Sequence, residues 1–300
     1  MIDLPKVTKS NAFNDFFLNK LKLEINQLIQ VSLNEDLDEI GDVTSNAILK
    51  DRQQGTATII AKQNGVFSGG FVVKMVYSLI DQSINVKINV DEGDLVEKKQ
   101  SVIEINGSVK SILTGERTAL NFLARMSGIA TLTHKFVQKL KGSNIKILDT
   151  RKTLPGWRYL DKYSVVVGGG MNHRIGLFDM VLIKENHIAA VGRSIKNAVN
   201  LCRSYLKTND LNLKIEVETR NLEQVKQALE LNVDRIMLDN MNQEQMKKAV
   251  KLVAGQVEVE ISGGVTLENI DDYYDLEVDF ISVGQLTNSA AAFDYSLLVG

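Results

Sequence analysis

The chain is poor in the features that mark secreted, membrane or nucleic-acid-binding proteins. Cys202 is the one cysteine among 300 residues, so no internal disulfide framework can form and the usage fits a reducing cytosol. It falls on an expected helix, where a lone thiol is more often a packing residue than a nucleophile. No apolar run reaches the roughly 18 residues that a membrane-spanning helix needs. A basic start followed by an apolar block, the mark of a signal peptide, is missing too. The formal net charge of -2 leaves no broad basic face for nucleic acid. The expectation is a cytoplasmic protein with neither a nucleic acid nor a membrane as partner.

Hydrophobic residues make up 44% and charged residues 24% of the chain, ordinary values for a protein with a sizeable core. Its length exceeds a typical single domain, so one large α/β unit or two domains is expected. Near the N-terminus, Phe13, Phe16, Phe17, Leu21, Ile25, Leu28 and Ile29 recur at helical spacing. They predict a helix or two packed on the body or on a partner subunit. Interspersed Asn, Asp and Glu argue against a membrane-surface helix.

From about Thr56 to Leu113 the composition turns to Val, Ile, Thr and Gly. Alternation over Thr56–Ala61 and Val86–Val90 predicts short strands, with turns at Asn64-Gly65, Glu92-Gly93 and Asn106-Gly107. One segment here, VDEGDLVEKKQSVIEINGSVKSI, resembles half of a biotinyl or lipoyl carrier with Lys110 as the modifiable residue. The flanking carrier signature is missing, and two strands with a turn is the simpler reading. From Thr114 to Leu140 the pattern becomes a long amphipathic helix, with an interruption expected near Gly128.

Helical segments then alternate with apolar runs near Ile145–Asp149, Met180–Ile183, Leu213–Glu218, Arg235–Leu238, Val257–Ile261 and Phe280–Val283. That alternation predicts a parallel sheet. No Gly-x-Gly-x-x-Gly follows a strand, which disfavours a dinucleotide fold. Polar residues emerging after successive strands favour an α/β barrel, incomplete at about six strands.

Three constellations gather at those strand ends. Arg117, Arg151, Lys152, His173, Arg174 and Lys184 are cations, most of them around the Gly168–Gly170 turn. Singly, each is more simply a solvated or ion-paired residue; together they suit a small ligand with several negative charges. Like charge opposes protonation of His173, so it is expected to donate a hydrogen bond to a carboxylate more than to act as a base. Glu218 and Asp239 each close an apolar strand. They are structural carboxylates or hard oxygen donors for Mg2+. Glu216 is the neighbouring alternative to Glu218. Ser262, Gly263, Gly264 and Gly284 form late loops where backbone N–H groups can approach a phosphate. Successive steps from Glu218 to Asp239, Ser262 and Gly284 are 21, 23 and 22 residues, close to one βα unit each.

The ordered segments EDLDEIGDVTS, GERTALNFLARMSGIAT, TRKTLPG, GGGMNHRIGL, LIKENH, IEVET, IMLDN, ISGGVT and FISVGQLT resemble the motifs of quinolinate phosphoribosyltransferases from about Glu35 to the C-terminus. The resemblance implies an N-terminal open α/β sandwich over 1–113, rejoined by 287–300, and a six- or seven-stranded incomplete α/β barrel over 114–286. It implies quinolinate and phosphoribosyl pyrophosphate as substrates, Mg2+ as cofactor, and a homodimer with composite sites, with assembly to a hexamer left open.

By the same resemblance Arg117, Arg151, His173 and Arg174 hold the quinolinate carboxylates, and Thr153 belongs to the substrate site. Lys152 and Lys184 lie nearer the reaction centre and pyrophosphate. Glu218 and Asp239 take the ribose and metal, and Ser262, Gly263, Gly264 and Gly284 take the ribose 5-phosphate. Lys62 stands where the family usually has Arg, keeping the charge but losing the bidentate fork. Rival readings are a sister enzyme acting on another heteroaromatic acid, a Schiff-base lyase using Lys152 or Lys184, and a non-enzymatic metabolite sensor.

Overall fold

The structure, a computed structural model, describes residues 15–50 and 53–300. In chain order its elements are α1 Asp15–Leu37, α2 Val43–Ile48, β1 Gln54–Ala61, β2 Gly65–Val66, α3 Gly70–Ile80, β3 Asn85–Ile88, β4 Leu95–Val96, β5 Ser101–Ser108, α4 Val109–Lys139 and β6 Lys146–Leu148. There follow α5 Arg158–Val167, β7 Val181–Ile183, α6 Glu185–Ala190, α7 Ile195–Thr208, β8 Ile215–Thr219, α8 Leu222–Glu230 and β9 Arg235–Asp239. The last are α9 Gln243–Val253, β10 Glu258–Ser262, a 3-10 turn Ile270–Tyr273, β11 Phe280–Ser282, α10 Gln285–Asn288 and β12 Tyr295–Val299.

Two compact units result. The first contains the described residues up to His134 together with Thr153–Gly169 and Leu286–Gly300, and the second Lys135–Lys152 and Gly170–Gln285. These bounds differ from the 1–113 and 114–286 division. Most of α4 belongs with the first unit because its apolar residues, from Ile112 to Ala130, are buried. There the Phe122 ring stacks on Trp157 at 4.8 Å, and Arg125 grips Asp161 of α5 through Nε and Nη2 at 2.9 and 2.7 Å. That pairing draws 153–169 into the first unit.

In the first unit an antiparallel sheet runs in the order β12-β1-β5-β3. The last strand pairs with β1, Ile59 opposite Leu297, so the C-terminal segment completes this sheet. Helix α1 buries Phe17, Leu21, Ile25, Ile29 and Leu33, a four-residue repeat that packs on α3 and α5. Phe13 and the side chain of Phe16 lie outside the described residues.

Three local expectations need correction. First, 70–80 is a helix, α3, rather than strand and turn; its Val-rich face is almost wholly buried, which hides the helical period. Second, Asn106 and Gly107 sit inside β5, not in a turn; Gly107 has φ +151 and lies against Ile84. Third, α4 continues through Gly128. A Cβ there would stand 2.2 Å from the Ala291 carbonyl oxygen, so the glycine serves a close backbone approach and not a helix break. Lys110 sits in the first turn of α4 and not on a hairpin tip, so the carrier-like reading falls.

The second unit is a six-stranded sheet in the order β6-β11-β10-β9-β8-β7, with every pairing parallel. All six apolar runs expected to be strands are present, and β6 and β7 stand at its two edges. A single parallel bridge adds Met171 beside Leu148, a minimal seventh member on the β6 edge. This is the incomplete α/β barrel. Alternation puts Val217, Leu238 and Ile261 on one face of the sheet, and Glu216, Glu218, Arg235, Met237, Asp239, Glu260 and Ser262 on the other. The inner face is therefore charged rather than packed with branched apolar residues.

Candidate active site

Parallel pairing brings all six strand C-termini to one edge of the second unit. Arg151 and Lys152 follow β6 and are exposed, and Lys184 comes directly after β7. Glu218 is the penultimate residue of β8, Asp239 ends β9, Ser262 ends β10, and Gly284 follows β11. Each is carried out of the sheet by a short apolar run whose other face meets helices, so the sequence pattern itself aims them at one rim.

The rim has a defined ionic core. Lys184 Nζ lies 3.3 Å from Glu218 Oε2. Arg220, one residue beyond β8, reaches Glu218 Oε1 at 3.8 Å with Nη2 and Asp239 Oδ2 at 3.5 Å with Nε. It also meets Glu185 at the start of α6. Arg220 thus ties the two carboxylates together, a part that no expectation assigned to it. Its position straight after the IEVET strand was the available signal. Asn240 also donates from Nδ2 to Asp239 Oδ2 at 2.9 Å.

The late loops are backbone-built. Gly263 and Gly264 have φ +97 and +64. A Cβ on Gly263 would meet Asn240 Oδ1 at 2.3 Å, so only glycine fits that turn. The Ser262 carbonyl accepts the Asn240 N–H at 2.9 Å, which fixes the loop beside Asp239.

His173 and Arg174 are both buried. The Arg174 Nη1 donates to the Met180 carbonyl at 3.1 Å, while its Nε is buried with no hydrogen-bond partner. Burial first, and then the charge of Arg151, lowers its affinity for its proton. An anion placed there would relieve both strains.

The His173 ring is turned inward. Its Nε2 lies 3.1 Å from Glu216 Oε2 and 3.4 Å from Glu260 Oε2, neither contact aligned as a strict hydrogen bond. Glu260 in turn accepts from Arg235 Nη1 at 3.0 Å and from Ser282 Oγ at 2.5 Å. Burial pushes the Glu216 and Glu260 carboxyls up to about 7 against the pull of Arg235. This buried cluster was missed in the sequence, where Glu216 was weighed only as a substitute for Glu218.

Lys62, Arg117 and Thr153 belong to the first unit. Lys62 and Arg117 are exposed, the latter on α4. The Thr153 hydroxyl accepts from Arg158 Nε at 2.8 Å.

Fold and rim together define an α/β-barrel protein whose strand ends hold fixed cations, paired carboxylates and a glycine-built loop. Comparison with known proteins gives the family. Residues 42–127 match the N-terminal domain, and 129–298 the C-terminal domain, of quinolinate phosphoribosyl transferase. The chain belongs to the quinolinate phosphoribosyltransferase family. Among curated relatives, the chloroplastic nicotinate-nucleotide pyrophosphorylase [carboxylating] of Arabidopsis thaliana is 42% identical over 92% of this chain and 83% of its own. A probable nicotinate-nucleotide pyrophosphorylase [carboxylating] of Bacillus subtilis is 39% identical over 92% and 93%. The crystal structure of NadC from Streptococcus pyogenes superposes with a TM-score of 0.88 at 39% identity, covering 93% of this chain and 97% of that one.

Proposed function

We propose that the chain transfers a phosphoribosyl group to quinolinate in NAD biosynthesis. The ring nitrogen attacks C1 of phosphoribosyl pyrophosphate, pyrophosphate leaves, and the 2-carboxylate departs as CO2. A proton takes its place at C2, giving nicotinate mononucleotide. The observation that carries this reading is the rim on which Lys184, Glu218, Arg220 and Asp239 form one ionic network beside the Arg151–Lys152 and Arg174 cations. Such a rim suits a substrate pair rich in carboxylate and phosphate.

Arg151 and Arg174 orient the two quinolinate carboxylates, and Arg117 reaches the carboxylates bound at the partner's site. Forked donors fix a planar diacid better than point charges do. Lys152 and Lys184 stabilise the charge that builds on the leaving pyrophosphate. Thr153 completes the substrate loop. Ser262, Gly263, Gly264 and Gly284 take the 5-phosphate on their backbone. No protein nucleophile is needed, because the pyridinium formed by the transfer stabilises the electron pair left by CO2. Orientation and fixed charge are the protein's contribution.

Mg2+ fits the donor set. Glu218 and Asp239 offer hard oxygens linked through Arg220. Among the described residues, the group of three close metal-capable side chains, His173, Glu216 and Glu260, lies elsewhere. A shell completed by water and substrate phosphates is usual for this ion, which when bound shields pyrophosphate charge. The working enzyme is a cytoplasmic homodimer, or a hexamer built from dimers, in which Lys62 and Arg117 serve the partner's site. The test is turnover of purified protein with Mg2+, phosphoribosyl pyrophosphate and either quinolinate or nicotinate. Product from quinolinate alone supports the reading; product from nicotinate, or none from either, refutes it.

A further inference from the structure

We infer that Glu216 and Glu260 are positioning residues for the quinolinate site, acting through His173 on Arg174. The inference rests on the substrate reading above. The Arg174 backbone N–H donates to His173 Nδ1 at 2.7 Å. An amide nitrogen offers only a hydrogen, so Nδ1 must present its lone pair, and the single proton of the neutral ring sits on Nε2. That Nε2–H faces the Oε2 atoms of Glu216 and Glu260 at 3.1 and 3.4 Å.

Glu260 is itself pinned by Arg235 and Ser282. The His173 backbone N–H donates to Asp149 Oδ1 at 2.9 Å, which fixes the ring from the other side. With its side chain 6% exposed, His173 presents Nδ1 to the Arg174 N–H and Nε2 to the two carboxylates. It holds Arg174 in place, and the Arg174 Nε keeps the buried donor that a ligand carboxylate can use. This differs from the expectation that His173 donates directly to substrate. The same proton argues against a metal among the three side chains, because Nε2 would have to exchange its hydrogen for the ion while Nδ1 still lacked one.

Two measurements test this. The chain has three histidines, so nitrogen-15 spectra of histidine-labelled protein can be assigned by the signal lost in His173→Gln. The expected His173 signature is a neutral ring protonated at Nε2. A ring protonated at Nδ1, or a cationic ring, would overturn the inference even if the enzyme fails to turn over quinolinate, which would instead sink the substrate reading.

The second measurement is steady-state kinetics. His173→Asn keeps an acceptor for the Arg174 N–H but loses the Nε2–H that faces Glu216 and Glu260, so it should raise the quinolinate KM roughly tenfold. His173→Gln and Glu260→Gln should raise it roughly tenfold, with the KM for phosphoribosyl pyrophosphate unchanged. A quinolinate KM raised in both histidine variants but unchanged in Glu260→Gln would mean that His173 touches substrate itself, and would overturn the inference. An unchanged quinolinate KM in His173→Gln would remove the positioning role.

Discussion

Replacing Gly128 with alanine should destabilise the protein although the site lies inside a helix. In an open helix interior the change gains about 1 kcal/mol of propensity. Here the new Cβ would sit 2.2 Å from the Ala291 carbonyl oxygen and 3.3 Å from the Phe293 nitrogen. The neighbouring segment has little room to retreat. Phe293 is 1% exposed, its N–H donates to the Ala124 carbonyl at 2.8 Å, and its ring packs on Tyr295 at 4.6 Å. Overpacking of this kind costs about 1–3 kcal/mol, and a strained backbone hydrogen bond about 1 more. Subtracting the propensity gain leaves a net loss of roughly 1–3 kcal/mol.

Urea unfolding followed by the fluorescence of Trp157, the one tryptophan, measures it in the unit concerned. Gly115→Ala on the same helix is the control, because its Cβ meets only side-chain atoms of Ile80 and Tyr77, at 2.7 and 2.8 Å. A midpoint for Gly128→Ala equal to or above the wild type would refute the close-approach explanation.

Arg151→Ala should weaken quinolinate binding by about 2 kcal/mol, roughly thirtyfold, with an unchanged circular dichroism spectrum; unchanged affinity by calorimetry would remove Arg151 from the site. Chelation with EDTA should abolish turnover without shifting the unfolding midpoint, and added Mg2+ should restore it; full activity in excess chelator would dismiss the metal. Burial pushes Glu92 from 4.5 to about 7 although it accepts the Gly69 and Gly70 N–H groups. A folded pKa above the unfolded one favours the protonated form, so this stabilisation is full below pH 4.5 and is lost as pH rises through about 7. The change is at most about 3 kcal/mol, and Glu92→Gln should flatten it in urea titrations at pH 5 and pH 8.

The barrel was legible because its strands obey a simple rule: a short apolar run, then a polar residue. Arg235–Asp239 follows it after its first residue, while Ile215–Thr219 and Glu258–Ser262 alternate Ile or Val with Glu but keep the same spacing, since each βα step must cross the sheet and return. Helix α3 was not legible. Seven of its eleven residues are buried, and Lys74 and Ser78, four apart, were nearly the only helical cue. Gly128 and Asn106-Gly107 misled for a related reason. Glycine marks a break when it is read locally, but here a distant chain requires it.

The rim residues after the strands were legible as chemistry, residue by residue. What the sequence hid was depth. Alternation puts Glu216 and Glu218 on the same face, but only the fold shows that one lies in the buried network with His173 and Glu260 while the other reaches Lys184 and Arg220. Arg220 was overlooked because it follows the strand that was already credited with Glu218.

The most direct test of the central claim uses quinolinate carrying carbon-13 in its 2-carboxylate. Labelled CO2 and pyrophosphate are followed together in the presence of phosphoribosyl pyrophosphate and Mg2+. Release of one labelled CO2 for each pyrophosphate, with nicotinate mononucleotide accumulating, is the predicted result. Pyrophosphate without CO2, or label retained in the nucleotide, would contradict the account.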